Sequence, residues 1–231
     1  MEKYKVDYSE LSHFKGIRIL LDYIDEGLNY AQKNNIKEVC IWTNGDWEKK
    51  TVDFDFLQGK DFIEKLHLII KLSKKSKTDG IYYLSNLKDL RCDFEIIDLS
   101  NFPKLEKLNI GFYPKVTGWE SLKLLKELMI GGVKTDDLSF LSKTENLEYL
   151  RIIRGNFTSL KGIENLSNLK NIFLQNCSSL AEIKSTINQL PKLEQLHLES
   201  CKNLDLEEIK SLAVKTISVI QSGKLLFSRY A

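Results

Sequence analysis

Three apolar residues at positions n, n+3 and n+5 recur nine times along this chain, most clearly as Leu105/Leu108/Ile110, Leu147/Leu150/Ile152 and Leu193/Leu196/Leu198. The middle members fall at 39, 66, 90, 108, 128, 150, 172, 196 and 217, so successive copies lie 18 to 27 residues apart. A unit that short cannot enclose its own apolar side, and each copy must be covered by the next. The chain is therefore constrained to a stack of like units. The end of each copy alternates apolar and other residues, as in Leu128-Met-Ile130 and Leu196-His-Leu198. Period-two alternation marks a short strand with one face on the core. One strand per copy gives a curved parallel β-sheet on the concave side. The intervening Leu138 and Leu141, then Leu160, Ile163 and Leu166, place short helices and turns on the convex side. The fold class is an α/β solenoid.

The ends need separate treatment, because an uncovered first unit would expose core to water. Ile17, Leu20, Leu21, Ile24, Leu28 and Ala31 line one face of an amphipathic helix, and a capping helix is expected over 14–34. Residues 1–35 then form an N-terminal cap, 36–222 about nine repeats, and 223–231 a closing segment.

Two copies extend the triplet into a longer motif: Leu169, Ile172, Leu174, Cys177, and Leu193, Leu196, Leu198, Cys201. With these residues the chain resembles the leucine-rich-repeat family, whose pattern reads Leu-x-x-Leu-x-Leu-x-x-Asn/Cys-x-Leu. The resemblance covers residues 36–222. In that family the Asn or Cys sits inside the turn and bonds neighbouring backbone, a place Asn44 takes in the first copy. Glu95, Tyr113, Val133 and Gly155 depart from the pattern, which interrupts the internal polar ladder. The short, irregular period is similar to that of bacterial members. The resemblance implies recognition of another protein on the concave sheet, with no chemistry and no cofactor of the protein's own.

Positions n+2, n+4 and n+6 should line the concave face. Met129, Tyr149, Arg151, Ile153 and Phe173 come from three successive copies, with Arg154 beside them and Gln175, His197 and Glu199 on the flank. Aromatic residues gathered with arginine are the composition of an interface hot spot, and a contiguous exposed apolar patch needs a reason. These nine residues form the expected protein-binding site.

Other chemistry finds little support. Cys40 and His67 share a column in adjacent strands and could make an activated thiol or half of a zinc site, but nothing supplies the remaining ligands. Lys71, Lys74, Lys75 and Lys77 form a basic run without interleaved aromatics or arginines, which reads as a solvated loop rather than a nucleic-acid site. A net charge of +2 exerts no general pull toward nucleic acid or membranes. No apolar run reaches the ~18 residues of a membrane span, and Met1 to Glu10 is polar. The expectation is a non-enzymatic cytoplasmic protein with reduced cysteines, no small-molecule substrate, and a monomeric state when unbound. Its partner is another protein. It could serve as a dedicated inhibitor, such as a toxin-neutralising immunity protein, or as an adaptor or scaffold.

Overall fold

The computed structural model of the chain describes residues 2–44 and 48–230. Met1 and Ala231, the ends of the first and last expected segments, lie outside them. The chain divides into two compact units, Met1–Phe94 with Asn101–Leu105, and Glu95–Ser100 with Glu106–Ala231.

The first unit contains β1 (Tyr4–Asp7), β2 (Gly16–Leu20), α1 (Ile24–Lys33), β3 (Glu38–Trp42), β4 (Lys65–Ile69) and β5 (Asp89–Arg91). Strands β2 to β5 are parallel and in register: Ile17 pairs with Val39, Val39 with Leu66, and Leu66 with Leu90. The helix expected over 14–34 therefore divides in two. Ile17 and Ile19 are fully buried at period two and form a strand, while helix begins only at Ile24. Phe14/Ile17/Ile19 is a tenth copy of the triplet, hidden because Leu20, Leu21 and Ile24 extend its apolar pattern at helical spacing.

Helix α1 is the return segment of this first copy. It buries Gly27, Leu28 and Ala31, and it lies so close to β2 that a Cβ on Gly27 would stand 2.5 Å from Ile19 Cγ2. The outer edge of β2 is instead paired by β1, which runs antiparallel to it from Tyr4 opposite Ile19 to Asp7 opposite Gly16. On the return side, Phe54–Leu57 forms a 3-10 turn, with Asp53 accepting from the backbone N–H of Asp55 at 3.2 Å.

The second unit contains β6 (Ile96–Asp98), β7 (Lys107–Gly111), β8 (Lys115–Thr117), β9 (Glu127–Gly131), β10 (Tyr149–Ile153), β11 (Asn171–Gln175), α2 (Lys184–Ile187), β12 (Gln195–Glu199), α3 (Leu206–Lys210), β13 (Thr216–Gln221) and β14 (Lys224–Arg229). Its main sheet runs β7-β9-β10-β11-β12-β13-β14. All neighbours are parallel except β14, which turns back antiparallel on β13 with a register shift at Val219/Ile220. Leu108, Leu128, Leu150, Ile172, Leu196 and Ile217 are matched rung to rung and buried, so the middle member of each triplet fixes the register. A one-residue slip would turn every one of them to solvent. Fully burying such a side chain is worth about 1.5–3 kcal/mol. On the return side β6 and β8 form a parallel pair. The 24-residue step from Ile172 to Leu196 holds α2, whereas the 27-residue step from Val39 to Leu66 holds only a 3-10 turn among its described residues.

At position n+8 the structure accounts for one departure from the repeat pattern, Gly155. The Cys177 and Cys201 thiols point into the turns and reach backbone carbonyls: Cys177 Sγ is 3.7 Å from Gln175 O, and Cys201 Sγ is 3.6 Å from Leu174 O. In the preceding copy Gly155 takes this place. The fully buried Phe157 ring fills the space, and a Cβ on Gly155 would lie 2.1 Å from Phe157 Cε1. Asn44, by contrast, is exposed.

Position n+1 carries a second regularity. From Lys37 it reads Lys37, Glu64, Lys88, Glu106, Lys126, Glu148, Lys170, Glu194 and Lys215, an unbroken alternation of sign. Within the first unit Glu64 binds both Lys37 and Lys88, at 2.6 and 2.7 Å. Within the second, Lys126 binds Glu106, Lys170 binds Glu148, and Lys215 binds Glu194. These pairs are exposed or partly exposed and individually weak, but together they oppose any shift of one copy against its neighbour.

Candidate protein-binding face

The expected site residues fall within the second unit, and the strand register sets them in rows. Met129, Arg151, Phe173 and His197 lie side by side across β9 to β12. Ile153, Gln175 and Glu199 form the next row toward the strand ends. Tyr149 stands one row back, level with Glu127 and Asn171. All of these side chains are partly exposed, unlike the buried triplet residues that alternate with them.

Three rings form a continuous file across β10, β11 and β12. Tyr149 and Phe173 have centroids 5.4 Å apart, and so do Phe173 and His197, both pairs tilted by 33°. Rings at this separation contribute about 0.5–1.5 kcal/mol per pair beyond their buried area. At the end of the file, His197 Nδ1 bonds Ser218 Oγ, and Nε2 lies 4.0 Å from Glu199 Oε2. Arg151 Nη2 donates to Gln175 Oε1 at 3.2 Å, so its guanidinium is oriented by a neutral amide. Met129 Sδ accepts from Asn109 Nδ2 at 3.3 Å. Behind Tyr149 an open depression is lined by Lys126, Glu127, Glu148, Tyr149 and Asn171.

Arg154 sits apart from the rows. It follows β10 in a left-handed turn at φ 63°, its side chain is exposed, and its N–H donates to Gln175 O at 2.8 Å. Asn176 and Ser200 repeat this turn after β11 and β12, at φ 57° and 56°.

The other sequence candidates lie in the first unit. Cys40 and His67 are register partners. Burial pushes the Cys40 thiol up to about 11, against the opposing pull of Arg18, Arg91 and Lys65. His67 directs Nε2 to Asp89 Oδ1 at 3.0 Å and packs edge-on against Phe14, with ring centroids 5.0 Å apart. A thiol with a raised pKa is the opposite of an activated nucleophile. Burial works to raise the Asp89 carboxyl too, but His67 and Lys65 outweigh it and hold Asp89 below its ordinary value. All four cysteines are buried free thiols. The Cys177 thiol bonds that of Cys201, and this bond together with burial pushes Cys177 well above the ordinary thiol range. Among the described residues no cluster of three or more His, Cys, Asp or Glu could hold a metal ion, and no helix is long and apolar enough to cross a membrane. In the lysine run, Lys77 is paired with Asp53 at 2.8 Å.

Ten copies of one triplet stand rung to rung within each unit, and the Cys177 and Cys201 thiols turn inward at n+8. Disease resistance protein RPP5 of Arabidopsis thaliana is 28% identical over 157 residues, which is 66% of this chain. The chain is a leucine-rich-repeat solenoid. The match spans only 9% of that relative's own length, and no family model matches the solenoid. Among solved structures, an internalin (inlF) of Listeria monocytogenes is 19% identical with a TM-score of 0.49, covering 86% of this chain and 63% of its own. A leucine-rich-repeat protein of Leptospira interrogans is 17% identical with a TM-score of 0.47, covering 74% and 51%.

Sequence reading placed the aromatic–arginine group but passed over the glycines beside it, Gly111 and Gly131, which share one register position on β7 and β9. Their signal was present in the n+6 column, which reads Gly, Gly, Ile, Gln, Glu, Ile along the second unit.

Proposed function

We propose that this solenoid is a non-catalytic recognition module and that it binds another protein on the open sheet face of its second unit. The observation that supports this reading is the file Tyr149–Phe173–His197 with Arg151 against it. Four large side chains on three adjacent strands are left partly exposed in one contiguous patch, which needs a reason where scattered exposure does not. Aromatic and arginine side chains dominate interface hot spots because they bury much area with few rotors. Their pre-ordering through mutual contacts lowers the entropy lost on association.

The test is affinity capture from a lysate of the source organism. Wild-type chain is run beside a Tyr149→Ala/Arg151→Ala/Phe173→Ala variant whose fold is checked by circular dichroism. The reading expects one protein enriched on wild type and lost on the variant. Equal recovery on both would place the binding surface elsewhere.

A further inference from the structure

We propose that the occupant of this face is an extended segment of a partner protein carrying a carboxylate and, two residues away, an aromatic side chain. The ring seats on the bare backbone at Gly131 and the carboxylate on Arg151. This rests on the reading of the face as a protein-binding surface and adds the chemistry of what it binds.

The first observation is a glycine that the fold does not require. Gly131 is not among the residues with positive φ. A Cβ built on it meets only Ile153 O, at 3.7 Å, an ordinary contact. Gly27, Gly155 and Gly162 differ, since a Cβ on any of them would collide with a neighbour at 2.1 to 2.5 Å. Gly131 is the last residue of β9, and a strand glycine that packing does not demand often marks a place that another group approaches closely. Gly111 is the register partner of Gly131 on β7. At this one register position two adjacent strands, ~4.8 Å apart, carry no side chain, with Met129 and Ile153 at the border.

The second observation is charge without a counter-charge. On this sheet Lys107 pairs with Glu127, and on its rim Lys126, Lys170 and Lys215 each hold a glutamate. Arg151 bonds only the neutral Gln175. Among the described residues neither Arg151 nor the exposed Arg154 pairs with a carboxylate. A planar guanidinium is matched by a carboxylate in a two-point contact, better than by a lone acceptor.

Spacing joins the two. Arg151 faces Met129, and Gly131 lies two residues beyond Met129 on the same strand. On parallel strands such diagonal neighbours are about 8 Å apart, two rises of ~3.3 Å along the strand and one spacing of ~4.8 Å across. In an extended segment, side chains on one side recur at about 6.7 Å, two rises of ~3.3 Å. An acid and a ring separated by one residue span that gap.

The test pans a phage-displayed library of random twelve-residue peptides on the immobilised full chain. Fluorescein-labelled copies of the enriched peptides are then titrated by anisotropy. The inference expects an acid-x-aromatic pair among them, and at least tenfold weaker binding to Gly131→Val and to Arg151→Gln. The same loss is expected when the peptide's acid is replaced by its amide. Gly131→Val should melt no lower than wild type, with Gly131→Ala as the smaller wedge should valine perturb the strand. If Tyr149→Ala/Phe173→Ala weakens binding while the glycine variants and the amide peptide do not, the face stands and this occupant is wrong. If no variant weakens binding, or no peptide is enriched over bare support, the face itself is wrong and this inference falls with it.

Discussion

The replacement of an inward polar residue by Gly155 and Phe157 yields a quantitative prediction. A Cβ on Gly155 would stand 2.1 Å from Phe157 Cε1, 2.8 Å from Cδ1 and 2.9 Å from Cζ. Carbon atoms pack at about 3.5–4.0 Å, so the ring must retreat by roughly 1.4 Å. Phe157 is fully buried, and interiors packed at crystal density yield little. Gly155→Ala should therefore destabilise by about 1–3 kcal/mol, the usual range for overpacking. Phe157→Ala alone should cost about 3–5 kcal/mol. In the double variant the new methyl enters the space the ring has left, and at a backbone position without positive φ, alanine even gains about 0.4–1 kcal/mol over glycine through the unfolded chain. That gain is common to the single and the double variant, so the double should be more stable than the sum of the singles predicts by the overpacking cost alone, about 1–3 kcal/mol. Urea unfolding followed by circular dichroism measures all four corners of the cycle, with Phe157→Leu as a milder substitute if Phe157→Ala is too unstable to refold. Additivity within about 0.5 kcal/mol would refute the claim that the ring is why this copy carries glycine.

Three further outcomes are expected. Arg154 occupies a left-handed turn, so Arg154→Val should lower stability by about 1–2 kcal/mol while Arg154→Gly leaves it near wild type; thermal melts of the pair separate backbone strain from loss of the side chain. Asp89 titrates below its ordinary value because His67 and Lys65 outweigh the effect of burial. The unfolded chain therefore takes up this proton first, and the stability Asp89 contributes is present above the ordinary aspartate range and is lost as pH falls through and below it. The melting temperature of Asp89→Asn should accordingly change less than that of wild type between pH 5 and pH 2. Glu148→Lys sets one new lysine beside Lys126 and Lys170 in the alternating column; its melting temperature should fall below wild type at low salt and recover toward it in about 0.5 M salt, where exposed charges are screened.

Much of the fold was legible because one kind of signal carried it. A buried residue every twenty or so positions, with a second two residues later, fixes a strand, its facing and its register together, and the rungs from Val39 to Ile217 follow that rule within each unit. The first rung was missed for a physical reason. Phe14, Ile17 and Ile19 satisfy the strand rule, but Leu20, Leu21, Ile24 and Leu28 continue at helical spacing, and a strand joined directly to an apolar helix reads as one longer helix. The rows of the candidate face could be listed beforehand, since alternation decides which residues emerge. The ring contacts and the Arg151–Gln175 bond could not, since they depend on rotamers chosen among half-exposed neighbours. Gly131 escaped because a strand glycine looks the same in sequence whether packing forbids a side chain there or leaves the space open.

The alternating column from Lys37 to Lys215 also bears on how such a chain can change length. Because the sign flips at every copy from Lys37 on, this part of the column repeats only after two, so losing or duplicating a single copy within it sets like charges side by side at the new junction. Losing or duplicating a pair leaves every neighbour opposite. An array of this kind can grow or shrink without electrostatic conflict only in steps of two, and unequal crossing-over within its gene would preserve parity more readily than it would preserve length.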